Sequence, residues 1–203
     1  MHALVLVLLS AAPPQLAEEA AAREAALRRE LGAEFTVVIE LPFVVVGNEA
    51  PAKVKERARD IVRRTAQLLL ADFFTQAPDH LEEVWLFKDA PTYEQASRQR
   101  FKTEPDTPYG YYLSSRHALV MNIRPGYGTL THELVHPFMH QAWPDAPAWL
   151  NEGLASLFEQ PYERDAHLKG GVNWRLPGLK GALKRKQVPS FHALTQLDAN
   201  GFY

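Results

Sequence analysis

The chain has 203 residues, 46% of them hydrophobic, which is enough for one well-buried core and too short to expect two independent domains. A formal net charge of -2 with no long basic stripe lacks the clustered Lys and Arg that a nucleic-acid partner requires. The absence of cysteine excludes disulfides, thiolate metal sites and a Cys nucleophile, but it leaves the redox compartment open.

Ala3 to Leu9 form an unbroken apolar run followed by the small residues Ser10-Ala11-Ala12, which reads as a secretory signal over residues 1–12 and implies a secreted or periplasmic protein. The start of the chain carries no Lys or Arg, and a buried N-terminal strand in a cytoplasmic protein is the alternative. Seven apolar residues fall short of the roughly 20 that span a bilayer, so no stable membrane span is expected.

Residues 13–32 read as an exposed helix and linker appended to the core, rich in Ala, Glu and Arg and ending at Gly32. Phe35 to Gly47 reads as two short strands around Leu41-Pro42. Pro51 opens a long amphipathic helix, with Val54, Ala58, Ile61, Val62, Ala66 and Leu69 at helical spacing. Val84 to Lys88 reads as a strand and Thr92 to Phe101 as a helix. The Pro-, Gly- and Tyr-rich stretch Pro105 to Tyr112 reads as a loop, and His117 to Ile123 as a strand. Two helical segments follow, about 129–142 and 147–159, divided by Trp143-Pro144-Asp145-Ala146-Pro147. From Pro161 onward the chain reads as loop with a short helix near Leu179 to Lys186. The order of elements is that of an α+β domain.

His132-Glu133-Leu134-Val135-His136 matches H-E-x-x-H, which on a helix sets two imidazoles one turn apart on one face, with Glu133 about 100° round from the first. Both rings can then reach one cation, beside which Glu133 stands as a general base. A third ligand must come from another element. Glu152 follows after 15 intervening residues, enough for one helix to end, the chain to reverse and a second helix to bring a carboxylate back. Gly153 beside it would allow that helix to approach closely. Two imidazoles and a carboxylate leave a fourth position for water, the donor set of catalytic zinc, and Zn2+ is the expected cofactor. Asn151 reads either as a group orienting Glu152 or the substrate, or as a plain helix N-terminal residue.

Thr131-His132-Glu133-Leu134-Val135-His136 together with Pro147-Ala148-Trp149-Leu150-Asn151-Glu152-Gly153-Leu154-Ala155 resembles the gluzincins, metallopeptidases marked by H-E-x-x-H followed by W-x-N-E-G-x-A. The resemblance is tight over residues 119–159 and looser to about 203. It implies a zincin-like fold over residues 33–203, with His132, His136 and Glu152 as zinc ligands and Glu133 as the base. It also implies that an edge strand holds an extended peptide or protein substrate, at Ala118, Val120 and Asn122. Some family members carry an Asp four residues after the ligand Glu to orient a ligand histidine, and this chain has Ser156 there. The family's further helix, with its Tyr or His oxyanion donor, has no counterpart before Tyr203, so the domain is expected to be truncated at its C-terminus.

The metzincin pattern fails, because Met139 and Ala142 stand where it needs Gly and His. His140, one turn beyond His136, reads as an ordinary polar residue, and Trp143 and Trp149 as hydrophobic anchors. Tyr109, Tyr111, Tyr112 and His167 are the candidate oxyanion donors. Lys180, Lys184, Arg185 and Lys186 read as a solvated helix face. The expected function is hydrolysis of peptide or related amide bonds through a metal-activated water. The alternative is a zincin-fold module that keeps zinc for stability or binds peptides without cutting them.

Overall fold

A computed structural model describes residues 14–202. The expected signal, residues 1–12, lies outside the described residues. The chain order is α1 (Pro14–Glu30), β1 (Thr36–Glu40), β2 (Phe43–Gly47), α2 (Pro51–Arg57), a wider π-type stretch Ala58–Arg63, α3 (Arg64–Asp72) and β3 (Glu82–Phe87). It continues through α4 (Ala90–Ala96) with a π-type end Ser97–Phe101, β4 (Gly110–Leu113), a 3-10 turn Ser114–Arg116 and β5 (Ala118–Asn122). The site-bearing α5 (Gly128–Ala142) and α6 (Ala148–Leu157) follow, then β6 (Pro161–Arg164), β7 (His167–Gly170), α7 (Leu176–Lys184), α8 (Phe191–Thr195) and α9 (Ala199–Phe202).

The fold is α+β around a five-stranded mixed sheet in the order β1-β2-β3-β5-β4. β2, β3 and β5 run parallel, while β1 and β4 lie antiparallel on the two edges. Successive side chains of a strand point to opposite faces. Here both faces are covered, so the central strands are continuous apolar runs rather than alternating ones. Val45, Val84, Leu86, Leu119 and Met121 face α2, α3 and α5, meeting Val54, Val62, Leu69, Leu134 and Phe138. Val44, Val46, Trp85, Val120 and Ala118 face the other way, toward α1 and α4.

Expectations change in the first helix, in β4 with the substrate edge beside it, and after Pro161, where the expected loop holds the hairpin β6-β7 and the helices α8 and α9 besides α7. The first helix is part of the core: Ala20 and Leu27 are fully buried against the second face. Its many Ala, Glu and Arg residues resemble an exposed helix because a narrow stripe, Leu16-Ala20-Leu27, makes the contact. The second change is β4. Gly110 to Leu113, expected within a loop, pair with Met121 to Ala118 and form the edge of the sheet. β5 is bonded on both sides, so the expected substrate edge at Ala118, Val120 and Asn122 is an interior strand. Among the described residues no helix is long and apolar enough to cross a membrane.

Candidate metal centre

The chain turns out of β5 through Gly126, whose φ of 137° suits glycine, and enters α5 at Gly128. A Cβ on Gly128 would stand 2.2 Å from the Glu159 carbonyl oxygen, so its bare backbone lets the end of α6 close on the start of α5. Gly153 does not have the expected role, since a Cβ there would meet nothing within 4 Å. α5 is buried from Leu130 to Met139 and continues past Pro137 to Ala142. Proline removes the bond to the carbonyl four residues back, that of Glu133, and its ring crowds that carbonyl.

α5 and α6 bring His132, His136 and Glu152 together, with one ligand atom from each within 4.8 Å of the others. His132 Nε2 is 3.3 Å from Glu152 Oε2, and His136 Nε2 is 3.8 Å from Glu152 Oε1. A tetrahedral ion with bonds of about 2.0–2.2 Å holds its ligand atoms roughly 3.3–3.6 Å apart, a spacing that the His132–Glu152 pair has and the His136–Glu152 pair slightly exceeds. Glu133 Oε2 lies 3.8 Å from His136 Nε2, beside the ligand set. Burial pushes the Glu133 carboxyl up to about 7, with the charge of Glu152 adding to the effect against the pull of His132. Burial also lowers the pKa of His136, favouring the neutral ring that metal ligation needs.

The rings are oriented from behind. His136 Nδ1 is 3.0 Å from Asn151 Oδ1, to which its N–H donates, leaving Nε2 to face the other ligands. Asn151, expected to orient Glu152 or the substrate or to serve as a helix N-terminal residue, thus meets a ligand histidine. Behind His132 stands a residue that sequence reasoning missed. His132 Nδ1 is buried without a hydrogen-bond partner, and the nearest carboxylate, Glu159 Oε1, is 3.7 Å away. Glu159 is itself 5% exposed, paired with Arg175 Nη1 at 2.8 Å and accepting from Asn173 Nδ2 at 2.6 Å. Ser156, at the position expected to do this work, contributes its carbonyl to Asn173. Glu159 stands two residues past the end of α6, where the helical spacing of the ligand motif gives no signal for it.

The centre opens onto a cleft of about 850 Å³ bordered by Tyr109, Tyr112, Asn122, Trp143 and Trp174. Asn122 is the one expected substrate residue at the cleft. Its side chain donates to the Pro108 carbonyl and accepts from the Arg124 amide, tying the approach to β4 to the exit from β5. Ala118 and Val120 belong to the opposite core. Asn122 N donates to Tyr109 O, and in an antiparallel pair the intervening residues turn their backbone groups outward. Gly110 and Tyr112 therefore turn their backbone groups to the open edge of the sheet, where the nearby Tyr112 amide draws the Glu133 carboxyl down against the effect of burial. The Tyr112 ring stacks on His136 at 6.2 Å and 11°, while its hydroxyl donates to Glu82. His167 is engaged by Asp72 on α3, away from the cleft. Tyr109 is the expected oxyanion candidate that is both exposed and on the cleft wall. His140 also borders the cleft but is outside the ligand set, and Trp143, 52% exposed, is a cleft residue rather than a buried anchor. No family model matches the chain, and no curated protein was found to match its sequence.

Proposed function

We propose that the protein is a zinc-dependent peptidase of the gluzincin type, with His132, His136 and Glu152 holding the metal and Glu133 as the general base. The observation that carries this reading is the convergence of three ligand atoms on one point with a buried, non-ligating carboxylate beside it, at the floor of a cleft and under a free strand edge. When bound, zinc polarises the scissile carbonyl and acidifies a water. Glu133 takes the proton as the water oxygen bonds to the carbonyl carbon, then delivers it to the amine nitrogen as the C–N bond breaks. Asn151 and Glu159 hold the two imidazoles in register through this. An extended peptide laid along Gly110–Tyr112 would add to the sheet edge, which moves the binding strand from β5 to β4.

The test is a paired measurement of zinc content and cleavage of a mixed peptide library by the parent and by Glu133→Gln. The amide keeps the shape and all three ligands but cannot accept the proton. Zinc is expected to stay while cleavage falls by about 10²–10⁴-fold. Zinc retained with no cleavage by the parent itself would replace the peptidase by a non-catalytic zinc module.

A further inference from the structure

The geometry points to a second transition-metal site, formed by His80, Glu82 and His117 on the far side of Tyr112 from the first. Parallel strands begin side by side, and the register that pairs Glu83 with Ala118 sets Glu82, the first residue of β3, beside His117, which precedes β5. His80 joins them from the segment leading into β3. One ligand atom from each of the three lies within 4.8 Å of the others. His80 Nε2 is 2.8 Å and His117 Nδ1 is 3.4 Å from Glu82 Oε1. The two imidazoles lie 4.0 Å apart between ring centroids.

A hydrogen-bonded cluster alone does not account for this arrangement. Glu82 is 0% exposed, and its Oε2 has no hydrogen-bond partner; His117 Nδ1 is likewise buried without one. Glu82 Oε2 and His117 Nδ1 are thus two unpartnered polar atoms of one cluster, and a cation held among the three side chains would supply the partner that the protein does not. The orientation of His80 fits as well. Its Nδ1 is 2.9 Å from Asp79 Oδ1, the arrangement in which a carboxylate fixes the tautomer and turns Nε2 toward a metal. Two nitrogens and one carboxylate favour zinc and its neighbours over calcium or magnesium, which prefer all-oxygen sets. The role we assign the site is structural, because Glu82 also holds the edge strand through Tyr112. What it steadies is Tyr112, whose hydroxyl donates to Glu82 Oε1 at 2.9 Å while its ring lies on His136.

The experiment is Zn2+ titration of the chelator-stripped full chain, read by calorimetry and elemental analysis, with folding followed by circular dichroism. The parent is expected to take up about two zinc ions, and both His132→Ala/His136→Ala and His80→Ala/His117→Ala about one each. If the first centre fails to bind, the parent takes up one ion that only the His80→Ala/His117→Ala variant loses, and the second site still stands. One ion in the parent and none in His132→Ala/His136→Ala overturns the second site. Crystals of the zinc-saturated parent, measured at the zinc absorption edge, decide the matter without any variant. An anomalous peak among His80, Glu82 and His117 supports the site, and its absence overturns it.

Discussion

Glu152 and His140 both border the cleft, but Glu152 places its carboxylate oxygens within 4 Å of both imidazoles while His140 is outside the converging group. Glu152→Ala is expected to lose the first-centre zinc and His140→Ala to keep it, as measured by elemental analysis after dialysis. Equal losses would redraw the ligand set. A subtler residue-scale effect belongs to Glu159, whose charge faces His132 Nδ1 and is anchored by Arg175 and Asn173. Removing such an orienting carboxylate typically lowers metal affinity by about 10–100-fold. Glu159→Gln should show that loss in a competition titration against a chromophoric chelator, while Ser156→Ala should not. The reverse order would return the orienting role to the position four residues after Glu152. Glu159 was hard to see in the sequence because it lies past the end of α6, where helical spacing no longer predicts which way a side chain points.

Among the elements, α5 and α6 were the most legible, since a dense ligand motif and helical periodicity fall on the same residues. β4 was not legible. Gly110-Tyr111-Tyr112-Leu113 follows a Pro-rich turn and has no alternation of its own, and its identity as a strand comes from pairing with β5, which local sequence does not encode. That one missed strand shifted the expected substrate edge by one position in the sheet. Glycine was misread for a related reason: close approach depends on what lies across the gap. Gly128→Ala would push a methyl group against the Glu159 backbone, and a shift in so tight a contact costs about 1–3 kcal/mol. Gly153→Ala meets open space within a helix and is expected to be neutral or to stabilise by up to about 1 kcal/mol. Urea unfolding of the two variants checks this, and similar midpoints would mean that α5 and α6 are not as closely abutted as described.

Over the whole molecule, the two faces of one sheet carry separate duties. One face packs against α5 and α6, which carry the candidate ligands, and the other against α1 and α4. Leu27, fully buried on the α1 side, gives a way to separate fold stability from metal-linked stability. Leu27→Ala opens a cavity and should cost about 2–5 kcal/mol in the absence of metal. Zinc binds the folded chain in preference to the unfolded one, so a free concentration 1,000 times the dissociation constant should restore about 4 kcal/mol at each site it fills. Because Leu27 lies in a different cluster from the ligands, the zinc increment should be the same in Leu27→Ala as in the parent, the additivity expected of sites without shared partners. Glu133→Gln should keep that increment too, and Glu152→Ala should lose the share due to the first centre. Thermal melts of the four proteins, each with zinc and with chelator, test all of this together. A zinc increment that shrinks in Leu27→Ala would mean that α1 is coupled to the ligand helices through the sheet, and one that survives intact in Glu152→Ala would mean that the stabilising ion sits elsewhere.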